Sequence, residues 1–144
     1  SHLLISNFTE WQYPLVTPSN NYATTWSASE QAFISGLTIP HSTISIVGDT
    51  PYPIKDSTTC LSLHSSRPSK CDFPYLRSDS TQSMKDYAVK NSLHYIDTAH
   101  WLCTNGKCSA LYGKANNYRD NTHISVQTAL RLSPQLEAAI ASAK

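Results

Sequence analysis

Three short runs of apolar and β-branched residues, separated by segments of helical character, constrain the fold of this chain most strongly. The runs are "LLI" at Leu3–Ile5, "STISIV" at Ser42–Val47 and "LHYID" at Leu93–Asp97. Runs of this length and composition are typical of buried strands. Strands that alternate with helices pair in parallel, because each helical crossover returns the chain to the same end of the sheet. The pattern therefore predicts an α/β fold with a mostly parallel sheet and helices on both of its faces.

Capping residues and apolar spacing predict the helices between these strands. Ser27 followed by Glu30 has the pattern of a capping box and predicts a short helix that ends near Gly36. A second helix is expected within "SDSTQSMKDYAVKNS". Ser125 is expected to cap the last helix, and Pro134 is expected to break it into two segments, because proline removes a backbone donor.

The four cysteines fall into two local pairs, Cys60 with Cys71 and Cys103 with Cys108. Four cysteines permit three connectivities, and the sequence alone does not choose among them. Local pairing is the simplest, because both intervening segments are polar and rich in turn-forming residues. Two disulfides would indicate an oxidising, extracytoplasmic compartment. The alternative is a small zinc domain that uses the four cysteines and a histidine, although paired zinc ligands are usually closer in sequence.

Composition and charge exclude several classes of function. A formal net charge of +1 over 144 residues gives no basis for long-range attraction to nucleic acid or to an anionic membrane. With 40% hydrophobic and 15% charged residues, the chain has the composition of one globular domain over residues 1–144. No apolar run approaches the roughly 18 residues of a transmembrane helix. The first residues also lack the basic and apolar regions of a signal peptide.

The block "YRDNTHIS", Tyr118–Ser125, carries the candidate for catalysis. Asp120 and His123 lie three residues apart in a turn before the last helix, so the carboxylate can reach the imidazole. An aspartate bonded to Nδ1 fixes the tautomer of a histidine and leaves Nε2 to take a proton from a nucleophile. The alternative is an ordinary polar turn in which Asp120 caps backbone amides and His123 is only exposed.

No serine of this chain stands in a nucleophile motif. There is no Gly-x-Ser-x-Gly elbow, and the nearest candidate is the "GDTP" turn at Gly48–Pro51. Pro51 and Pro53 remove amide donors where an oxyanion would need them, so we expect a structural turn at the carboxyl end of its strand. Asn7 directly follows the first strand, at the same edge of the sheet. Its amide either donates to an oxyanion or closes an Asx turn.

Taken in order, these features resemble a known family. The succession of a strand with "GDTP" and "CL", a second cysteine, "YID", "WLC…C" and "YRDNTHIS" before a final helix is similar to the C-terminal part of SGNH-type domains. Such domains are fused to bacterial integral-membrane acyltransferases that O-acylate cell-surface glycans. The resemblance runs from "LLISN" to the end of the chain. The Asp-x-x-His-[Leu/Ile]-Ser block with the paired cysteines is its specific part.

This resemblance implies a three-layer α/β/α, flavodoxin-like SGNH fold, with His123 as general base, Asp120 as its orienting partner and Asn7 as a candidate oxyanion donor. The family's nucleophilic serine lies in a Gly-Asp-Ser block on the first strand, and this chain contains no such block. We therefore expect a C-terminal segment that lacks its first strands and is inactive alone. Such a segment would expose an apolar edge at "LLIS", so we expect it to be marginally stable or to borrow strands from a partner.

The resemblance also implies a function. It indicates an extracytoplasmic acyltransferase or esterase that works through an acyl-serine and needs no cofactor or metal. Its partners would be an acyl donor supplied by a membrane acyltransferase domain, to which it is tethered, and a glycan or glycolipid acceptor. No nucleic acid is expected as a partner. The alternative is a domain of degenerate SGNH fold that only binds carbohydrate, through the aromatic loop from Phe8 to Trp26.

Overall fold

The structure of the protein is a computed structural model that describes residues 2–7 and 22–143. The described residues form two compact units, one from within residues 1–49, 77–97 and 140–144 and the other from residues 50–76 and 98–139. Their helices and strands are β1 Leu3–Ser6, α1 Tyr22–Ser35, β2 Ile44–Val47, α2 Ser57–Leu63, β3 Phe73–Pro74, α3 Asp79–Lys90, β4 His94–Ile96, β5 Cys103–Thr104, β6 Lys107–Cys108, β7 Leu111–Tyr112, β8 Ala115–Asn116 and α4 Val126–Ala141.

The first unit contains a parallel sheet with the strand order β1-β2-β4. Ile5 of β1 pairs with Ile46 of β2, and Ile46 pairs with Tyr95 of β4. Side chains alternate between the faces of a strand, so Ile5, Ile44 and Ile46 share one face. Side chains of α1 and α3 pack with them, including Ile34, Met84 and Ala88, and so does Leu93 just before β4. The predicted α/β class and parallel sheet are confirmed, and β1 is an edge strand among the described residues.

Helix α1 begins earlier than the capping box predicted. It runs from Tyr22 to Ser35, so Ser27 and Glu30 lie inside the helix, where both are buried. The capping-box prediction is therefore wrong. The Glu30 carboxylate accepts a hydrogen bond from Asn7, which lies outside the helix. Burial of the Ser27 and Glu30 side chains, and not the local capping pattern, decides their position in the helix.

Helix α4 is continuous where Pro134 was predicted to break it. It runs from Val126 to Ala141 with Pro134 inside. Proline has no N–H to donate to the carbonyl of Leu130, one turn earlier, and the Ser133 hydroxyl donates to that carbonyl at 3.3 Å instead. The predicted cap at the start of the helix is confirmed, because Ser125 Oγ accepts the N–H of Thr128 at 3.2 Å.

The second unit is built from short antiparallel strands and two disulfides. Strand β6 pairs with both β3 and β5, and β7 pairs with β8. The disulfide Cys103–Cys108 joins β5 to β6, and Cys60–Cys71 joins α2 to the following 3₁₀ turn. All four cysteines are therefore bonded in pairs, which leaves no thiolate for the zinc alternative. Buried side chains of Phe73, Leu102, Cys108, Tyr118 and Leu132 form the core of this unit.

Helix α2 was not predicted, and only its last three residues lie in the polar, turn-rich interval between Cys60 and Cys71. It begins at Ser57, and Asp56 caps it by accepting the N–H of Thr59 at 2.6 Å and the hydroxyl of Thr58 at 2.7 Å. The helix is short and mostly polar, so it has no apolar stripe from which its periodicity could be read. The capping aspartate was the available signal, since aspartate is favoured at this position.

Candidate active site

Asp120 and His123 lie together in a narrow turn of the second unit. Tyr118 and Ile124 form an isolated antiparallel bridge at the base of this turn. Inside the bridge, the Arg119 N–H donates to the carbonyl of His123 at 2.9 Å. These backbone contacts bring the two ends of the turn together and fix the spacing of the two side chains.

The Asp120 carboxylate bonds both to the backbone of the turn and to the imidazole. Its Oδ1 accepts the N–H of Thr122 at 2.9 Å and the N–H of His123 at 2.8 Å. The Nδ1 of His123 lies 2.9 Å from Oδ1 and 3.0 Å from Oδ2. The two readings of the sequence therefore coexist, since Asp120 closes a polar turn and also holds the histidine ring.

Hydrogen bonds within this turn stabilise the negative charge of Asp120. The N–H of Thr122, and after it the bonds from His123 and Arg119, hold the pKa of the Asp120 carboxyl well below its usual range, against a smaller opposing effect of desolvation. An ionised carboxylate next to Nδ1 favours the tautomer with the proton on Nδ1. The Nε2 atom is then a proton acceptor, on a side chain that is 61% exposed. This arrangement can act as a general base.

Asn117 anchors the turn to the rest of the unit, and the sequence analysis missed it. Its buried amide nitrogen donates to the carbonyl of Ser109 at 2.9 Å. Its Oδ1 accepts from the Thr128 hydroxyl at 3.1 Å and from the guanidinium of Arg131 at 2.9 Å. Asn117 thus ties the residues before the turn to helix α4, which follows it. No local motif marks this role, because two of the three partners are more than ten residues away in sequence.

Tyr118 is a second anchor. Its ring is fully buried and packs edge-on against Phe73, with the ring centroids 5.4 Å apart. Burial raises the pKa of the Tyr118 phenol, so the side chain stays neutral and does not take part in proton transfer near neutral pH. The residues on either side of Asp120–His123 are therefore fixed by packing while the imidazole remains accessible.

In the first unit, Asn7 is bonded to Glu30. Asn7 follows β1, and its Nδ2 donates to Glu30 Oε1 at 2.6 Å. Glu30 is only 5% exposed. Burial raises the pKa of Glu30 above its ordinary 4.5, the nearby negative charge of Asp49 raises it further, and the bond from Asn7 opposes both. Glu30 was read from the sequence as a cap, so this buried acid was not recognised as a site residue.

The "GDTP" turn begins next to this pair. A small cavity is lined by Asn7, Glu30, Gly48, Asp49 and Tyr95, among other residues. A Cβ atom on Gly48 would collide with the hydroxyl of Tyr95, so glycine is required by close approach of that side chain. Of the aromatic loop from Phe8 to Trp26, residues 8–21, which include Trp11, lie outside the described residues.

Comparison with known proteins gave one family. The family model described as "SGNH domain (fused to AT3 domains)" matches residues 4–138, which include Asn7, all four cysteines and the Asp120–His123 turn. No curated protein and no solved structure matches the chain. In the part of the chain that the structure describes, no helix has the length and apolarity needed to cross a bilayer.

Proposed function

The chain belongs to the family of SGNH domains fused to AT3 domains, and we propose that it takes part in acyl transfer to, or ester hydrolysis on, cell-surface glycans or glycolipids. His123 is the general base in this proposal, and Asp120 orients it. Asn7 is the candidate oxyanion donor. The nucleophile is a serine outside this chain, in the Gly-Asp-Ser block that the family resemblance implies.

The proposed reaction has two steps, and His123 moves the proton in both. In the first, Nε2 takes the proton of the serine hydroxyl as the serine oxygen bonds to the acyl carbon, and the donor's leaving oxygen departs with that proton. In the second, Nε2 takes a proton from the acceptor hydroxyl, or from water, as its oxygen attacks the acyl-serine. The serine oxygen then leaves and recovers the proton. The Asp120 carboxylate stabilises the imidazolium formed in each step.

One observation carries this proposal. The Nδ1 of His123 faces both carboxylate oxygens of Asp120, at 2.9 and 3.0 Å, on an exposed imidazole. A capping aspartate needs only one oxygen for the backbone amides, and here Oδ1 accepts both of them. Oδ2 lies beside Nδ1 and also accepts from Arg119 Nε at 3.1 Å. Neither bond is needed for capping, and the one to Nδ1 supports the catalytic interpretation.

Family membership and the disulfides also support a proposal for the cellular compartment and the partner domain. The two disulfides support an oxidising, extracytoplasmic compartment. The family description supports association with an acyltransferase, and we propose that an attached membrane domain supplies the acyl donor. We further propose that residues 1–144 act as one domain in this assembly.

The test uses the full polypeptide that contains this chain and a fluorophosphonate probe, which labels activated serines. We expect the wild type to be labelled and His123→Ala to lose labelling by at least about a hundredfold, the lower end of what a general base contributes. His100→Ala is the matched control, because His100 is an exposed histidine of the same unit with no carboxylate partner among the described bonds. Absence of labelling in the wild type would favour a domain that only binds carbohydrate.

A further inference from the structure

Glu30 has a buried oxygen without a hydrogen-bond partner among the residues that the structure describes. Its Oε1 accepts from Asn7, but its Oε2 is buried and receives no hydrogen bond from residues 2–7 or 22–143. An unpaired carboxylate oxygen is among the most costly groups to bury, because its hydration is lost without replacement. Such an atom in a native fold needs an explanation in a ligand, a proton or a function.

The cavity beside Glu30 lies where ligands bind to parallel sheets. Asn7 follows β1, while Gly48 and Asp49 follow β2, so the cavity is at the carboxyl ends of both strands. Ligands of open α/β sheets bind at this edge. The cavity has room for about one water molecule, which is also the size of a single hydroxyl group.

The charge of the cavity selects among possible ligands. Asp49 and Glu30 disfavour an anionic ligand. A metal ion or an ammonium group pairs only with the ionised form of Glu30, whereas burial and Asp49 favour the neutral form. A hydroxyl group suits both forms, because it donates to a carboxylate and accepts from a carboxylic acid.

We infer that the cavity beside Glu30 is a subsite that binds one hydroxyl group of an uncharged, polyhydroxylated acceptor. Glu30 Oε2 is the group that binds this hydroxyl, and the bond from Asn7 to Oε1 fixes the carboxyl in place. Glu30 is thus a specificity residue for the acceptor. This inference rests on the proposed function for the identity of its ligand as an acyl acceptor.

The experiment measures acceptor use and acceptor binding separately in the full polypeptide. The acceptors are methyl β-D-glucopyranoside, which is neutral, and methyl β-D-glucuronide, which carries a carboxylate. The variant is Glu30→Met, which has a side chain of similar length but offers neither a donor nor an acceptor at the position of Oε2, whichever form Glu30 takes. Glu137→Met is the control, because Glu137 is an exposed glutamate on α4.

We expect Glu30→Met to raise the KM for the neutral glucoside about tenfold, as for loss of one buried hydrogen bond. The control Glu137→Met should leave this KM within about twofold of wild type. The wild type should have a higher KM for the glucuronide than for the glucoside. The difference between these two KM values should be smaller in the variant. Saturation-transfer NMR should show the same weakening of glucoside binding without any turnover.

Two results would overturn the inference. Equal glucoside binding and equal KM in wild type and Glu30→Met would mean that the cavity holds only a fixed water. Preference for the anionic sugar in the wild type would contradict the charge argument. Failure of the proposed function looks different, because His123→Ala would then leave labelling unchanged while the NMR comparison still tests the subsite. Thermal unfolding of each variant verifies that it is folded.

Discussion

Replacing Asp120 by asparagine separates the two roles of its carboxylate. The amide oxygen of asparagine can still accept the N–H groups of Thr122 and His123, as Oδ1 does now. The amide nitrogen takes the place of Oδ2 and offers hydrogens to Nδ1 of the imidazole. Nδ1 then faces a donor as well as the amide oxygen, which replaces Oδ1 at 2.9 Å, so the preference for the tautomer with the proton on Nδ1 is weakened. The negative charge that stabilises the imidazolium is also lost, while the turn is expected to persist.

The size of the effect follows from the exposure of the histidine. In a buried Ser-His-Asp triad the same change lowers the rate about 10⁴-fold, chiefly through the wrong tautomer. His123 is 61% exposed, so water competes for both ring nitrogens and offsets part of that loss. We expect Asp120→Asn to slow fluorophosphonate labelling of the full polypeptide about 100- to 1,000-fold. The melting temperature of this variant should stay near that of the wild type.

A second variant shows whether the turn itself has been kept. Asp120→Ala removes every bond of the carboxylate, including those to the backbone, so it should slow labelling and also lower the melting temperature. Asp86→Asn is the control, because Asp86 is an exposed aspartate on α3. If Asp120→Asn is labelled at the wild-type rate, Asp120 only closes a turn and the reasoning about the tautomer is refuted.

The Asp120 carboxylate is expected to make the stability of the protein fall at acidic pH. The pKa of Asp120 in the folded protein lies below its ordinary 3.8. Its stabilising contribution is therefore present above pH 3.8 and is lost as the pH falls through the lower folded value. Thermal unfolding between pH 5 and pH 2 should show that the wild type loses more stability than Asp120→Asn. If the stability of wild type and Asp120→Asn falls equally with pH, the turn does not stabilise the ionised form of Asp120.

Two further changes test the framework around these sites. Removing the disulfide Cys60–Cys71 in a double serine variant should lower the free energy of unfolding by about 3 kcal/mol, and removing Cys103–Cys108 by about 2 kcal/mol, because the loops they close span 11 and 5 residues. Denaturant titration measures both, and the reverse order would contradict the loop-length argument. Gly48→Ala should cost about 1–3 kcal/mol, because the new methyl group collides with the Tyr95 hydroxyl. The ring carbon Cζ of Tyr95 also lies 2.9 Å from that position, so a smaller cost of Gly48→Ala in a Tyr95→Ala background would identify the Tyr95 side chain as the cause.

The sheet was predictable because its signals are local and repeated. Each of β1, β2 and β4 is a short run of apolar or β-branched residues, and their parallel order follows from the helices between them. The start of α1 was not predictable in this way. Ser27 and Glu30 have the identity and spacing of a cap, yet burial decides their place in the helix. The predicted break at Pro134 was wrong for a different local reason, because Ser133 supplies the hydrogen bond that the proline removes.

The two candidate sites differ in the sequence distance of their bonds. Every described bond to the imidazole of His123 comes from within three residues, so the spacing of Asp120 and His123 already contained the geometry. Asn7 and Glu30 are 23 residues apart, and Asn117 reaches 14 residues to Arg131. Pairs at such distances leave no pattern in a single sequence.

The bonds from Asp120 to backbone amides fit capping and catalysis equally, because a polar turn of this kind forms in many proteins. The discriminating features are those that capping does not require. One is the second oxygen of Asp120 facing Nδ1, and the other is the pair of anchors, Asn117 and Tyr118, that fix the turn while His123 stays exposed. A capping role predicts that stability and labelling change together across the Asp120 variants, whereas a catalytic role predicts that Asp120→Asn changes labelling alone.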